Sequence, residues 1–157
     1  MRWKGAGEAL IAVDTNILIY AARQESPYHR QAVKLVTSLA ERSNAWAIPW
    51  PCAYEFVRVV THAKVFSPAS TAEEALASIE QLRESPSLTM LGDGPGHLRY
   101  MLRAIRESAA TGNLIHDAHI AALCLEHGVS ELYTMDRDFS RFPGLKVTHP
   151  FRIADTK

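Results

Sequence analysis

Short apolar runs separated by long stretches of helical periodicity constrain this chain more than any other feature. Leu10-Ile11-Ala12-Val13, Trp46-Ala47-Ile48-Pro49, Leu88-Thr89-Met90-Leu91 and Glu131-Leu132-Tyr133-Thr134 are each too short for a stable helix. They read as short strands. Between them, apolar residues recur at three- and four-residue spacing. Strands separated by helices pair in parallel, because the crossover helix returns the chain to the edge where the previous strand began. The expected fold is α/β: one domain over residues 10–150, with a central parallel sheet of four to five strands flanked by helices. Leu145-Lys146-Val147 is the candidate fifth strand. A chain of 157 residues supports one sizeable core and not two.

Turn chemistry places the helices. Asp14 or Thr15 caps the first. Ser26-Pro27 reads as the start of the second, with Val33, Leu35, Val36, Leu39 and Ala40 inward. A third runs from Pro51 to about Lys64. Ser70 or Thr71 caps a fourth, in which Leu76, Ile79 and Leu82 recur. Gly92–Gly96 precede a fifth, expected to turn Leu98, Met101, Leu102 and Ile105 inward. The sixth follows Gly112-Asn113 and stops at Gly128. Residues 1–9 read as a variable arm and 151–157 as a tail.

Composition excludes several classes. Apolar residues make up 47% and charged residues 22%, as in an ordinary globular protein, and no apolar run reaches membrane-spanning length. The apolar run after the basic N-terminus ends in Asp14-Thr15-Asn16 without a cleavage-type small-residue site, so no signal peptide is expected. Cys52 and Cys124 form no CxxC pair and read as buried, reduced thiols of a cytoplasmic protein. The 17 basic and 17 acidic residues cancel. Confining four acids to a metal-neutralised pocket would leave the rest mildly basic.

Four acids invite that grouping. Asp14 and Asp136 fall at the carboxyl ends of the first and fourth strands, and Glu55 and Asp117 in the early turns of helices. An α/β fold collects its site at the carboxyl end of the sheet. A lone acid at such a position is ordinarily a cap or turn residue. Glu55 and Asp117, however, are embedded in apolar sequence with no lysine at pairing distance, although Arg58 shares the Glu55 face. Clustered carboxylates repel one another, and a divalent cation relieves that repulsion.

Val13-Asp14-Thr15-Asn16-Ile17-Leu18, Tyr54-Glu55-Phe56, Asp117-Ala118-His119-Ile120-Ala121-Ala122 and Tyr133-Thr134-Met135-Asp136-Arg137-Asp138-Phe139 together resemble, in order and spacing, the motifs of PIN-domain nucleases, and most of all VapC-type toxins. The resemblance spans about Ile11 to Val147. It implies an endoribonuclease dependent on Mg²⁺ or Mn²⁺, with Asp14, Asp117 and Asp136 as metal ligands and Glu55 as an acidic member of the site. Asp138 competes with Asp136 for the fourth position; Asp136 is favoured because it lies nearer the strand end. The resemblance also implies an RNA substrate and a homodimer. A further implied partner is a small VapB-like antitoxin, whose C-terminal segment would occlude the pocket. The donor set gives the chemistry: hard oxygen ligands select Mg²⁺ or Mn²⁺, and water activated there attacks a phosphodiester in line.

Other signals are weaker. His116 and His119 invite a zinc reading, but no Cys or second His pair completes a set in sequence, so a supporting role is expected. Asn16 and Thr134 read as caps or as residues that orient water. Arg99, Arg103 and Arg106 form a stripe that reads as a solvated face. A receiver domain or a dehalogenase-type phosphatase would want a second acid near Asp14, where Thr15-Asn16 stand. A housekeeping PIN nuclease and a non-catalytic PIN relic remain as alternatives.

Overall fold

The computed structural model describes residues 9–151; the expected arm, except for residue 9, and the tail beyond residue 151 lie outside them. The strands are β1 (Ile11–Val13), β2 (Trp46–Pro49), β3 (Leu88–Leu91), β4 (Glu131–Tyr133) and β5 (Val147–Thr148). The helices are α1 (Thr15–Ala22), α2 (His29–Glu41), α3 (Trp50–Val60), α4 (Ala72–Arg83), α5 (His97–Ser108) and α6 (Leu114–Glu126), with a 3-10 turn at Arg137–Arg141. All strands pair in parallel in the order β3-β2-β1-β4-β5. After β1 the chain builds outward through β2 to β3, then crosses to β1's other edge for β4. The order reverses between β1 and β4, and at such a switch point the flanking loops part and leave a crevice at the strands' carboxyl ends. Asp14 and Asp136 follow these two strands.

The core lies on both faces of the sheet. Ala12, Val13, Trp46, Ala47, Ile48 and Leu132 are fully enclosed. Helix α6 is buried over most of its surface, with Ala118, Ile120, Ala121, Ala122, Leu123 and Cys124 inside, and it packs against α5, α3 and β2. Its small residues let the backbones approach closely. Helix α4 starts at a full capping box, the Thr71 hydroxyl accepting from the Glu74 N–H while the Glu74 carboxylate accepts from the Thr71 N–H.

Three expectations are corrected. Helix α2 begins at His29 rather than after Ser26-Pro27, because Tyr28 sits at φ 59°, in the left-handed region that interrupts a helix. The Tyr28 ring stacks on Phe151 at 5.7 Å and lies 6.0 Å from Tyr20. The inner face of α2 is consequently Ala32, Val36 and Leu39, and Val33 is left exposed. On α4, Ala75 and Ile79 are buried while Leu76 is exposed. On α5, Leu98 is 81% and Leu102 48% exposed, whereas Ala104 and Ser108 are buried. The small residues permit close packing on α6, and they turn the two leucines outward.

Candidate metal centre at the carboxyl end of the sheet

Asp14 follows β1 and is almost wholly buried. It occupies the N-cap position of α1 yet makes no side-chain capping bond. Its carboxylate is engaged elsewhere: Oδ2 accepts the Thr134 hydroxyl at 2.6 Å, and Oδ1 accepts the Cys52 thiol at 3.4 Å. Burial pushes the Asp14 carboxyl above its usual range; the bonds from Thr134, Thr15 and Cys52 oppose the shift, and the Asp136 charge adds to it. Cys52 is held as a thiol, pushed well up by burial and then by the Asp14 charge. It is a donor to the acid, a role that its sequence context as a buried thiol did not reveal.

Thr134 joins two of the acids. Fully enclosed, it donates to Asp14 while its oxygen accepts the Asp136 N–H at 3.0 Å. With its hydroxyl spent on protein partners, Thr134 supports the acids rather than orienting water. Asn16 Oδ1 accepts the Met135 N–H at 3.3 Å, fixing the turn that delivers Asp136. Asp136 then caps the 3-10 turn, its Oδ1 accepting the Asp138 N–H at 2.9 Å.

Asp117, in the first turn of α6, faces them. One carboxylate oxygen each from Asp117, Asp136 and Asp138 lies within 4.8 Å of the others. Burial, then the charges of Asp136, Asp14 and Asp138, push the Asp117 carboxyl from 3.8 to about 6. A cation bound beside the group would oppose that shift. Asp136 and Asp138, which competed for one place in the sequence, both join the cluster.

Glu55 stands apart. Its carboxylate takes both arms of the Arg58 guanidinium, one at 2.9 Å, and this pairing holds it below the usual carboxylate range, with a smaller contribution from His116. The local arginine is its partner. His119 is bonded to Asp93 at 3.1 Å, and His116 is not a member of that group. The exposed Arg99, Arg103 and Arg106 lie on the solvated side of α5, and Arg103 pairs with Glu107. An apolar groove of ≈ 570 Å³, lined by Leu18, Val33, Val36, Phe56 and Leu82, includes none of the acids; volume alone would misplace the chemistry here.

The donor set is what a hard divalent cation requires: several carboxylate oxygens, with Asp138 exposed to solvent. The Cys52 thiol, bonded to Asp14, is kept protonated by burial.

A five-stranded parallel sheet of this order, with acids gathered at its carboxyl end, defines a small α/β class with a candidate metal centre. The PIN domain profile matches residues 11–145, and the chain belongs to the PIN-domain family. Within that class it is similar to Ribonuclease VapC48 of Mycobacterium tuberculosis, 32% identical over 138 residues that span 88% of this chain and 95% of the relative. The structure of VapBC2 from Rickettsia felis bound to a promoter DNA fragment aligns at a TM-score of 0.61 and 20% identity, covering 88% of this chain and 97% of that one. A toxin-antitoxin complex from Klebsiella pneumoniae aligns at a TM-score of 0.58 and 19% identity, covering 91% and 99%. At those identities the solved structures speak for the fold.

Proposed function

We propose that the protein is a divalent-metal-dependent endoribonuclease and the toxin of a toxin–antitoxin pair. The observation that carries this reading is the meeting of Asp117, Asp136 and Asp138, with Asp14 tied to them through Thr134. Four acids drawn together at a strand edge destabilise a fold unless a cation offsets their repulsion. The kinship with proteins named VapC ribonucleases supplies the substrate class.

Asp117, Asp136 and Asp138 would hold the ion, Mg²⁺ or Mn²⁺, with the Asp14 charge beside them. When bound, the ion supplies charge neutralisation at the scissile phosphate and a more acidic attacking water. The chain's own residues do the positioning. Thr134 and Cys52 fix the Asp14 carboxylate, and Asn16 fixes the turn before Asp136. Glu55, held by Arg58, would be released when the arginine turns to a phosphate.

The partner is a small antitoxin that closes the acidic crevice with a basic segment, by likeness to solved neighbours described as VapBC and toxin-antitoxin complexes. Self-association would cover the exposed Leu98 and Leu102 of α5. Incubation of RNA with the protein, with and without chelator, tests the nuclease reading. Cleavage is expected to need Mg²⁺ or Mn²⁺ and to vanish in Asp14→Asn and Asp117→Asn. Undiminished cleavage by both variants would overturn it. Growth arrest on expression, relieved by the co-encoded small protein, separates a toxin from a housekeeping nuclease.

A further inference from the structure

On the side of α6 away from Asp117, three residues distant in sequence meet. Asp93 lies in the loop after β3, His97 opens α5, and His119 is in the second turn of α6. Asp117 and His119 are two residues apart, about 200° around the helix, so the two faces are distinct. Asp93 Oδ1 is 3.1 Å from His119 Nε2 and 3.5 Å from His97 Nε2. One donor atom from each residue lies within 4.8 Å of the others, and the imidazole rings sit edge to face at 5.0 Å.

We propose that Asp93, His97 and His119 form a second metal site, selective for a borderline transition ion such as Zn²⁺. A tetrahedral ion bound at about 2.0–2.1 Å separates its ligand atoms by about 3.3 Å. The separations of Asp93 Oδ1 from the two imidazole nitrogens, 3.1 and 3.5 Å, bracket that value. A plain hydrogen bond explains His119 at 3.1 Å, but His97 at 3.5 Å is too far for a good one. Moreover, His97 Nδ1 is buried with no hydrogen-bond partner among the described residues. Nε2 is thus the ring's only polar outlet, and it points to Asp93.

The loop that presents Asp93 is clamped before any ion arrives. The Glu126 carboxylate accepts the N–H groups of Gly94 at 3.0 Å and Gly96 at 2.9 Å, and His127 Nε2 donates to the Gly92 carbonyl at 2.7 Å. With its backbone held on both sides, Asp93 loses little freedom on binding an ion. Its side chain is 59% exposed, which leaves an entry path and a fourth position for water. Two imidazoles and one carboxylate favour Zn²⁺, Co²⁺ or Ni²⁺, whereas the all-carboxylate cluster favours Mg²⁺ or Mn²⁺. A bound ion would tie the β3–α5 loop to the helix that carries Asp117.

The test is Co²⁺ titration of the untagged full-length protein, followed by visible absorption in millimolar Mg²⁺ to occupy the acidic cluster, with Zn²⁺ competition. The expected result is one Co²⁺ equivalent with tetrahedral-type bands, displaced by Zn²⁺ and retained in Asp117→Asn. It should weaken by more than about tenfold in His97→Gln. Asp93→Asn, at an exposed loop position, serves as a second variant if His97→Gln folds poorly. Co²⁺ binding unchanged in both variants, no binding by the wild type, or binding lost only in Asp117→Asn would each overturn the proposal.

Discussion

Replacing Asp117 with asparagine should make the metal-free protein more stable while abolishing its function. Burial and three neighbouring acids raise this carboxyl from 3.8 to about 6. The shift corresponds to about 3 kcal/mol at about 1.4 kcal/mol per unit. Asp117 is only half-buried, so solvent screening reduces the realisable effect to on the order of 1 kcal/mol. The native pKa exceeds the unfolded one, so the native state retains its proton over a wider range. Stability is lost as pH rises from 3.8 toward about 6, and the penalty is complete above that window. Asparagine keeps the shape and removes the charge, so its advantage should appear in the same window.

Thermal melts of chelator-treated wild type and Asp117→Asn, run from about pH 4 to about pH 8, read this directly. The variant should melt about 2–4 °C higher at the alkaline end, and the difference should shrink toward the acid end. Saturating Mg²⁺ should reverse the order, because the ion binds the folded wild type and not the variant. A variant that melts no higher than wild type at pH 8, or whose gain is the same at all pH values, would refute the account of a self-repelling cluster.

Three more perturbations have defined outcomes. Thr134→Val removes the hydroxyl between Asp14 and the Asp136 N–H, and should cost about 1.5–3 kcal/mol in denaturant melts with a loss of RNA cleavage; full stability would show that the bridge is dispensable. Gly94→Ala would set a Cβ 2.6 Å from Glu126 Oε2, breaking the clamp on the Asp93 loop; it should destabilise by about 1–3 kcal/mol, measured by the same melts. Leu98→Glu should leave monomer stability within about 0.5 kcal/mol, because the side chain is 81% exposed, while lowering the sedimentation mass if α5 pairs with a second copy.

Local signals carried much of this fold. The strand at Leu88–Leu91 and the Thr71 cap of α4 could be read from a few residues, because turn chemistry and short apolar runs act over one or two turns of chain. Helix faces were less legible. In α5 the leucines at 98 and 102 repeat as an inner face should, yet Ala104 and Ser108 lie inside, because a small residue wins where two helices must approach closely. The start of α2 was hidden by Tyr28, whose left-handed backbone accompanies stacking on the distant Phe151. Cys52 looked like an inert core thiol, and its bond to Asp14 crosses 38 positions of sequence.

The sequence by itself determined the alternation of strands and helices, and it set acids at the ends of β1 and β4 and the start of α6. Such features follow from periodicity and capping, which are written locally. Only the tertiary structure decided which side chains face one another. The Glu55–Arg58 pair, three residues apart on one helix, is local; the tertiary structure set Asp117 against both Asp136 and Asp138, and gave His119 the partners Asp93 and His97 that no nearby spacing offered. The reason is the crossing of the sheet between β3 and β4. Parallel pairing of β4 against β1 is a non-local choice, and it alone sets the crevice in which the carboxylates meet.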